Sequence, residues 1–154
     1  MILLVHILFG AAIGSIIINT PLAIFLAFLS HYFLDLFPHI EYNIEISNKK
    51  QWGEKLWSIT KIAIDFFSGL LLIFLLSKNN STIYICAFFS IIPDGLTVLS
   101  NYFPNKFLMF HYKLHTKVIH FLKYKKISPG RADIFGRILS QILILILSII
   151  ILKL

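Results

Sequence analysis

Five stretches of this chain are apolar over nearly their whole length: about residues 2–18, 21–37, 56–77, 82–99 and 133–152. Segments of this kind cannot all be covered in a small water-soluble domain. Only 14% of the 154 residues are charged, where a soluble domain carries about 25%. A membrane-spanning helix needs about 20 apolar residues, with a range of about 17–25. The expected fold is therefore all-α: a polytopic membrane helical bundle of about five short transmembrane helices. The length suits a single integral membrane domain over 1–154. The first segment has no Lys or Arg before it, so it reads as a retained helix and not as a secretory leader.

Local signals set the expected boundaries. Asn19-Thr20-Pro21 closes the first segment, with Thr20 as expected cap of the second helix and Pro21 at its first position. Pro38 ends that helix at about Phe37. Ser128-Pro129-Gly130 precedes the fifth segment. Between them, 40–55 is polar. Over 100–127, lysines interleave with Phe107, Leu108, Leu114, Val118 and Phe121, the pattern of one amphipathic surface helix on the membrane. Trp52, Trp57, Tyr42, Tyr102 and Tyr124 flank the spans as interface anchors. Gly10 and Gly14 have the spacing of a close helix–helix contact. A lone Cys86 excludes an internal disulfide. The net charge of +7 fits loops that fix orientation and touch anionic membrane lipids. It does not call for nucleic acid.

The residues that break the apolar pattern point to function. Three of the four aspartates, Asp35, Asp65 and Asp94, lie inside apolar segments, as do His6 and His31. Each Asp at a bilayer centre costs about 2.5–3.5 kcal/mol, so the unpaired set would cost on the order of 10 kcal/mol. Lys61 and Arg137 sit nearer the helix ends and offer no basic partner in mid-span. Buried carboxylates without basic partners require a cation or shared protons. His31 and Asp35 are one helical turn apart on one face. His39, just past Pro38, can turn back towards them. His111 and His115 repeat the spacing, while His120 reads as a surface residue. The candidate metal ligands are thus His6, His31, Asp35, His39, Asp65, Asp94, His111 and His115. Asp35, Asp65 and Asp94 are also the candidates for orienting or deprotonating a water. This N/O set suits a divalent metal such as Zn or Mn, and its size leaves room for two ions.

The run Ser30-His31-x-x-x-Asp35-x-x-Pro38-His39 resembles the membrane-bound metal-dependent hydrolases, the LexA-regulated inner-membrane group. The resemblance extends to His6 ahead of Gly10, Ala11, Ala12 and Gly14, and to Ile92-Pro93-Asp94. The His-x-x-x-Asp-x-x-x-His run is also similar to the metal helix of zinc-dependent phospholipase C and the S1-P1 nucleases. These resemblances imply a multi-pass inner-membrane, metal-dependent hydrolase of a phosphoester, and a site at the membrane face makes an amphiphilic, lipid-like substrate the expectation. Two other classes stay open: a metal or proton transporter, for which such residues also serve, and a non-enzymatic membrane protein with a structural metal. Homo-oligomerisation also stays open.

The basic stretches 40–55 and 100–132 are expected on the cytoplasmic side by the positive-inside rule. That topology places His6, His31, Asp35, His39, Asp94, His111 and His115 at the cytoplasmic face. Asp65 is deepest, about 15 Å in from residue 55 at 1.5 Å rise per residue.

Overall fold

The computed structural model describes residues 1–40, 52–78, 80–119 and 131–154. The described residues form helices α1 (Leu3–Ile16), α2 (Thr20–Asp35), α3 (Trp52–Leu76), α4 (Ser81–Phe89), α5 (Ile92–Tyr102), α6 (Lys106–Lys113), a π-helical stretch (Leu114–Ile119) and α7 (Arg131–Lys153). No strand occurs among them.

Among the described residues, two helices are long and apolar enough to cross a membrane: α3 over Leu56–Leu76 and α7 over Ile134–Lys153. Only 11% of either window is buried. Leu56, Ile64, Phe67, Leu71 and Phe74 on α3, and Ile138, Leu143 and Leu147 on α7, face outwards. The expected fourth span is broken into α4 and α5, which meet at a bend of 43° and count as a third span only if taken together. Pro93 lies in the first turn of α5, where it lacks the N–H that would continue α4. The other two apolar helices, α1 and α2, have 14 and 16 residues. They fall below the spanning length.

Helix α1 is the hub. It packs against α4, α7, α2 and α3. Ile7, Leu8, Ala11 and Ala12 meet Ile73 of α3, Ile83 and Ala87 of α4, and Leu152 of α7 in the main core cluster. Small residues allow the closest approach. A Cβ on Gly10 would lie 2.5 Å from Cβ and Oγ of Ser90 and 2.8 Å from the Cys86 carbonyl oxygen. A Cβ on Gly14 would lie 2.9 Å from the Thr82 carbonyl oxygen. The Gly10/Gly14 spacing therefore marks the seam between α1 and α4. Cys86 on that seam is a buried free thiol.

This contact gives a direct stability test. Gly10→Ala is expected to destabilise the fold by about 1–3 kcal/mol through overpacking. Gly136→Ala, where no neighbour lies within 4 Å of the added Cβ, is expected to cost nothing. Thermal unfolding in detergent measures both. Equal midpoints for the two variants would refute the close seam.

The N-terminus of α1 has backbone donors without intrahelical partners, as every helix does. Other helices supply the acceptors. The Ile2 N–H donates to Oε1 of Gln141 on α7 at 3.2 Å. The Leu4 N–H donates to Oδ2 of Asp65 on α3 at 3.3 Å. A carboxylate at a helix N-terminus also meets the positive end of the helix dipole.

Several boundaries differ from the sequence expectation. The cap of α2 is Asn19, whose side chain accepts from the Leu22 N–H at 3.0 Å, and Thr20 is the first helical residue. Helix α2 stops at Asp35, short of Phe37. Helix α3 begins at Trp52, inside the stretch read as polar loop. The amphipathic stretch is not one helix: α5 runs to Tyr102, and α6 starts anew after Asn105, whose side chain accepts from the Leu108 N–H. Its buried face carries Leu108 and His111, with His115 buried on the π-helical stretch that follows, whereas Phe107 and Phe110 are exposed. Lys123, Lys125, Lys126, Phe121, His120, Tyr42 and Tyr124 lie outside the described residues. Among the interface anchors, Trp57 and Tyr102 are exposed, and the Lys61 ammonium lies 5.0 Å over the Trp57 ring.

Candidate metal centre

Asp35 is the pivot of a polar cluster inside the bundle. Its Oδ2 lies 3.2 Å from His31 Nε2 and 3.1 Å from His115 Nε2. Asp94 Oδ1 lies 3.5 Å from His31 Nε2 and 3.8 Å from His115 Nε2. The two histidine Nε2 atoms are 3.0 Å apart. One ligand atom from each of His31, Asp35, Asp94 and His115 falls within 4.8 Å of all the others. The quartet is assembled from α2, α5 and the π-helical stretch. The i, i+4 pair on α2 meets as the spacing requires. The α4–α5 break puts Asp94 in the first turn of α5, facing that pair. The π-helical stretch carries His115; such widened turns recur at functional sites.

The outer partners of the rings decide what the inner atoms can do. His31 Nδ1–H donates to the Ser90 carbonyl at 2.8 Å. Ser90 is the C-cap of α4, so its carbonyl is among those a helix end leaves without an intrahelical partner. His115 Nδ1 lies 3.1 Å from Thr97 Oγ1. The Thr97 hydroxyl donates to the Pro93 carbonyl at 3.0 Å, so it accepts from His115 Nδ1–H. Both neutral rings therefore carry their proton on Nδ1 and point an Nε2 lone pair inwards. Two lone pairs and two carboxylate oxygens then face one another at 3.0–3.8 Å. They repel unless a positive charge lies among them. A proton on one Nε2 relieves only its own contacts, whereas one divalent cation relieves all four. Histidine ligands that donate their second ring N–H to a backbone or side-chain oxygen are the usual arrangement at metals. The donor set can therefore hold a metal ion.

The quartet is enclosed but not sealed. The side chains of His31, Asp35 and His115 are 0%, 1% and 4% exposed, against 37% for Asp94. Asp94 is the most exposed member of the quartet.

The remaining candidates take different places. His6 is fully buried on α1, with Nε2 3.3 Å from Asp35 Oδ1. It is close but misaligned, and neither ring nitrogen makes a hydrogen bond. His39 is buried beyond Pro38 and does turn back: its Nδ1–H donates to the Phe37 carbonyl at 2.6 Å, and Nε2 lies 3.7 Å from Asp35 Oδ1. The Met1 ammonium is 3.0 Å from the same oxygen. His111 is buried one turn before His115, with its ring stacked on that of His115 and its Nε2 2.9 Å from the Tyr32 hydroxyl. Burial, then the neighbouring His115 and His31, hold the His111 pKa below the ordinary imidazole value. Asp65 is not brought to the quartet; it accepts from the N-terminus of α1. Sequence reasoning passed over Ser90, Thr97 and Tyr32. Thr97 had a readable signal, three residues after Asp94 on the same helical face.

Fold and site together describe an all-helical chain with membrane-crossing helices and an imidazole–carboxylate cluster that can hold a metal ion. No family model, curated protein or solved structure matches the chain.

Proposed function

We propose that this chain is a multi-pass inner-membrane, divalent-metal-dependent hydrolase of an amphiphilic phosphoester, with its site at the cytoplasmic face. The observation that carries the reading is the convergence of His31, Asp35, Asp94 and His115 with both histidine Nε2 lone pairs directed inwards. A divalent ion at such a centre supplies Lewis acidity and a bound water whose pKa is about 7. His31 Nε2, His115 Nε2 and Asp35 Oδ2, the buried members, would hold it. Asp94, the exposed member, would hold the ion through Oδ1 and, through its other oxygen, would orient the attacking water and take its proton. The Tyr32 hydroxyl is hydrogen-bonded to His111 beside the quartet. The outward apolar faces of α3 and α7 keep the chain in the bilayer, where an amphiphilic substrate concentrates.

The test is product release from a panel of phospholipids and lipid phosphates by detergent-purified protein. Turnover is expected, abolished by a chelator and restored by Zn²⁺ or Mn²⁺. A second reading, an ion or proton transporter, draws on the α4–α5 break at Asp94, because interrupted helices line the binding sites of many transporters. Absence of turnover together with flux into liposomes under an ion gradient would overturn the hydrolase reading in favour of transport.

A further inference from the structure

Two hydrogen bonds set the level of the metal centre along the membrane-crossing helices. The Leu4 N–H donates to Asp65, part-way down the α3 span that begins at Leu56. The Ile2 N–H donates to Gln141, part-way down the α7 span that begins at Ile134. At a rise of about 1.5 Å per residue, both put the start of α1 about 10–14 Å below the ends at Leu56 and Ile134, the near surface. The centre lies at the same level, because Met1 N and His6 Nε2 are 3.0 and 3.3 Å from Asp35 Oδ1. Helix α4 measures from the far side. The α3–α4 turn is tied to the end of α7 by Lys78 Nζ, which donates to the Leu154 carbonyl. From there α4 climbs about 14 Å to Ser90, whose carbonyl holds His31. The two distances together come near the ~30 Å of a hydrocarbon core.

At this level the backbone changes character. Helix α1 begins there, α2 ends at Asp35, and α4 gives way to α5 after Phe89. Past α2, the Pro38 carbonyl accepts from Ser140 Oγ at 2.5 Å, which fixes it to the same depth on α7. Phe37, Pro38 and Ile40 are nevertheless exposed. Irregular backbone facing lipid does not occur in the hydrocarbon layer; at membrane depth it is buried in protein or lines water. Asp94, partly exposed in the first turn of α5, makes the same demand, since a carboxylate at the bilayer centre costs about 2.5–3.5 kcal/mol. Helix α5 continues from α4 at a bend of 43°. It runs about 15 Å to a tip of exposed Tyr102, Phe103, Asn105 and Lys106, the aromatic and basic composition of a membrane interface.

We propose that the metal centre lies inside the hydrocarbon layer, about 10–14 Å below the near surface, and that water reaches it from that surface through a notch bordered by residues 36–40 and the first turn of α5. The proposal rests on the reading of α3 and α7 as spans and of the quartet as the hydrolytic site. It narrows the substrate. Lipid phosphates at rest lie outside the hydrocarbon core, above the centre. The phosphoester that is cleaved is therefore one whose phosphoryl group leaves the headgroup plane and descends into the notch.

Single-cysteine variants of the full chain in a Cys86→Ala background, spin-labelled and reconstituted in phosphatidylcholine–phosphatidylglycerol vesicles, test this. Power-saturation electron paramagnetic resonance compares relaxation by oxygen, which partitions into lipid, with relaxation by a water-soluble nickel chelate. Leu56→Cys marks the near surface. Ile64→Cys, exposed beside Asp65, marks the level of the centre on the lipid side. Phe37→Cys and Gly95→Cys mark the notch. Phe37 is exposed beyond α2, and nothing lies within 4 Å of a Cβ at Gly95, so neither substitution crowds a neighbour. The label at 64 is expected about 12 Å deeper than the label at 56 and shielded from the nickel chelate. The labels at 37 and 95 are expected to be as open to the chelate as the label at 56. Equal depths at 56 and 64 would overturn the placement of the centre inside the layer. Nickel exclusion at 37 and 95 matching that at 64 would overturn the notch. Nickel access at every position would overturn the spans themselves. None of the labels replaces a quartet side chain, so a failure of the metal or hydrolase reading appears in metal content and turnover and leaves these depths unchanged.

Discussion

Asp35→Asn is expected to weaken divalent-metal binding by about 100–4000-fold, and to abolish any metal-dependent turnover. Both oxygens of Asp35 face nitrogen atoms: His31 and His115 on one side, Met1, His6 and His39 on the other. Its side chain is 1% exposed. Removing one partner from a buried ionic group costs about 3–5 kcal/mol, and each 1.4 kcal/mol is about tenfold in affinity. Asparagine keeps the volume and removes the charge, so the helical fold should persist. Competition with a fluorescent Zn²⁺ indicator measures the affinity, and circular dichroism the fold. An affinity within about tenfold of the wild type would show that Asp35 is a structural acceptor and not a ligand.

Thr97→Val is expected to weaken metal binding by about 10–100-fold with the helical fold intact, the usual effect of removing the group that orients a histidine ligand. Valine matches threonine in shape but offers no acceptor to His115 Nδ1–H. That ring then loses the contact that fixes its proton on Nδ1, and a proton on Nε2 competes with the metal. Ser100→Ala is the control. Its hydroxyl donates to the Thr97 carbonyl at 2.7 Å, so its loss leaves His115 held and the affinity unchanged. The same indicator competition separates the two variants. If Thr97→Val bound metal as tightly as Ser100→Ala, the tautomer argument would be wrong.

Much of the quartet was readable because it follows local geometry. His31 and Asp35 lie one turn apart on a helix, and Pro38 stops that helix in time for His39 to fold back. Gly10 and Gly14 marked a close contact because a Cβ at either would crowd Ser90 or the Thr82–Cys86 turn of α4. Other features depend on partners distant in sequence. Asp65 looked like a ligand because a carboxylate in an apolar helix needs a compensating group. That group includes the Leu4 N–H, 61 positions away, which no local pattern reveals. The α4–α5 break was missed for a different reason. Hydropathy over 82–99 is continuous through Ser90 and Pro93, and apolarity carries no record of direction. The spans were harder again. Hydropathy cannot distinguish a helix that faces lipid, such as α3, from one buried by its neighbours, such as α1, whose apolar residues pack against four other helices. His111 and His115 were placed on an amphipathic surface by the lysines around them, yet both are buried, because α6 turns its histidine face to α2.

The central claim is that His31, Asp35, Asp94 and His115 hold a metal ion. Elemental analysis of detergent-purified wild type, His31→Ala and Asp35→Asn, each desalted into metal-free buffer, tests it most directly. The wild type is expected to carry at least one equivalent of a divalent transition metal per chain, and each variant to have lost it from the quartet. Equal metal content in all three proteins, or none in the wild type after reloading with Zn²⁺ and Mn²⁺, would contradict the account.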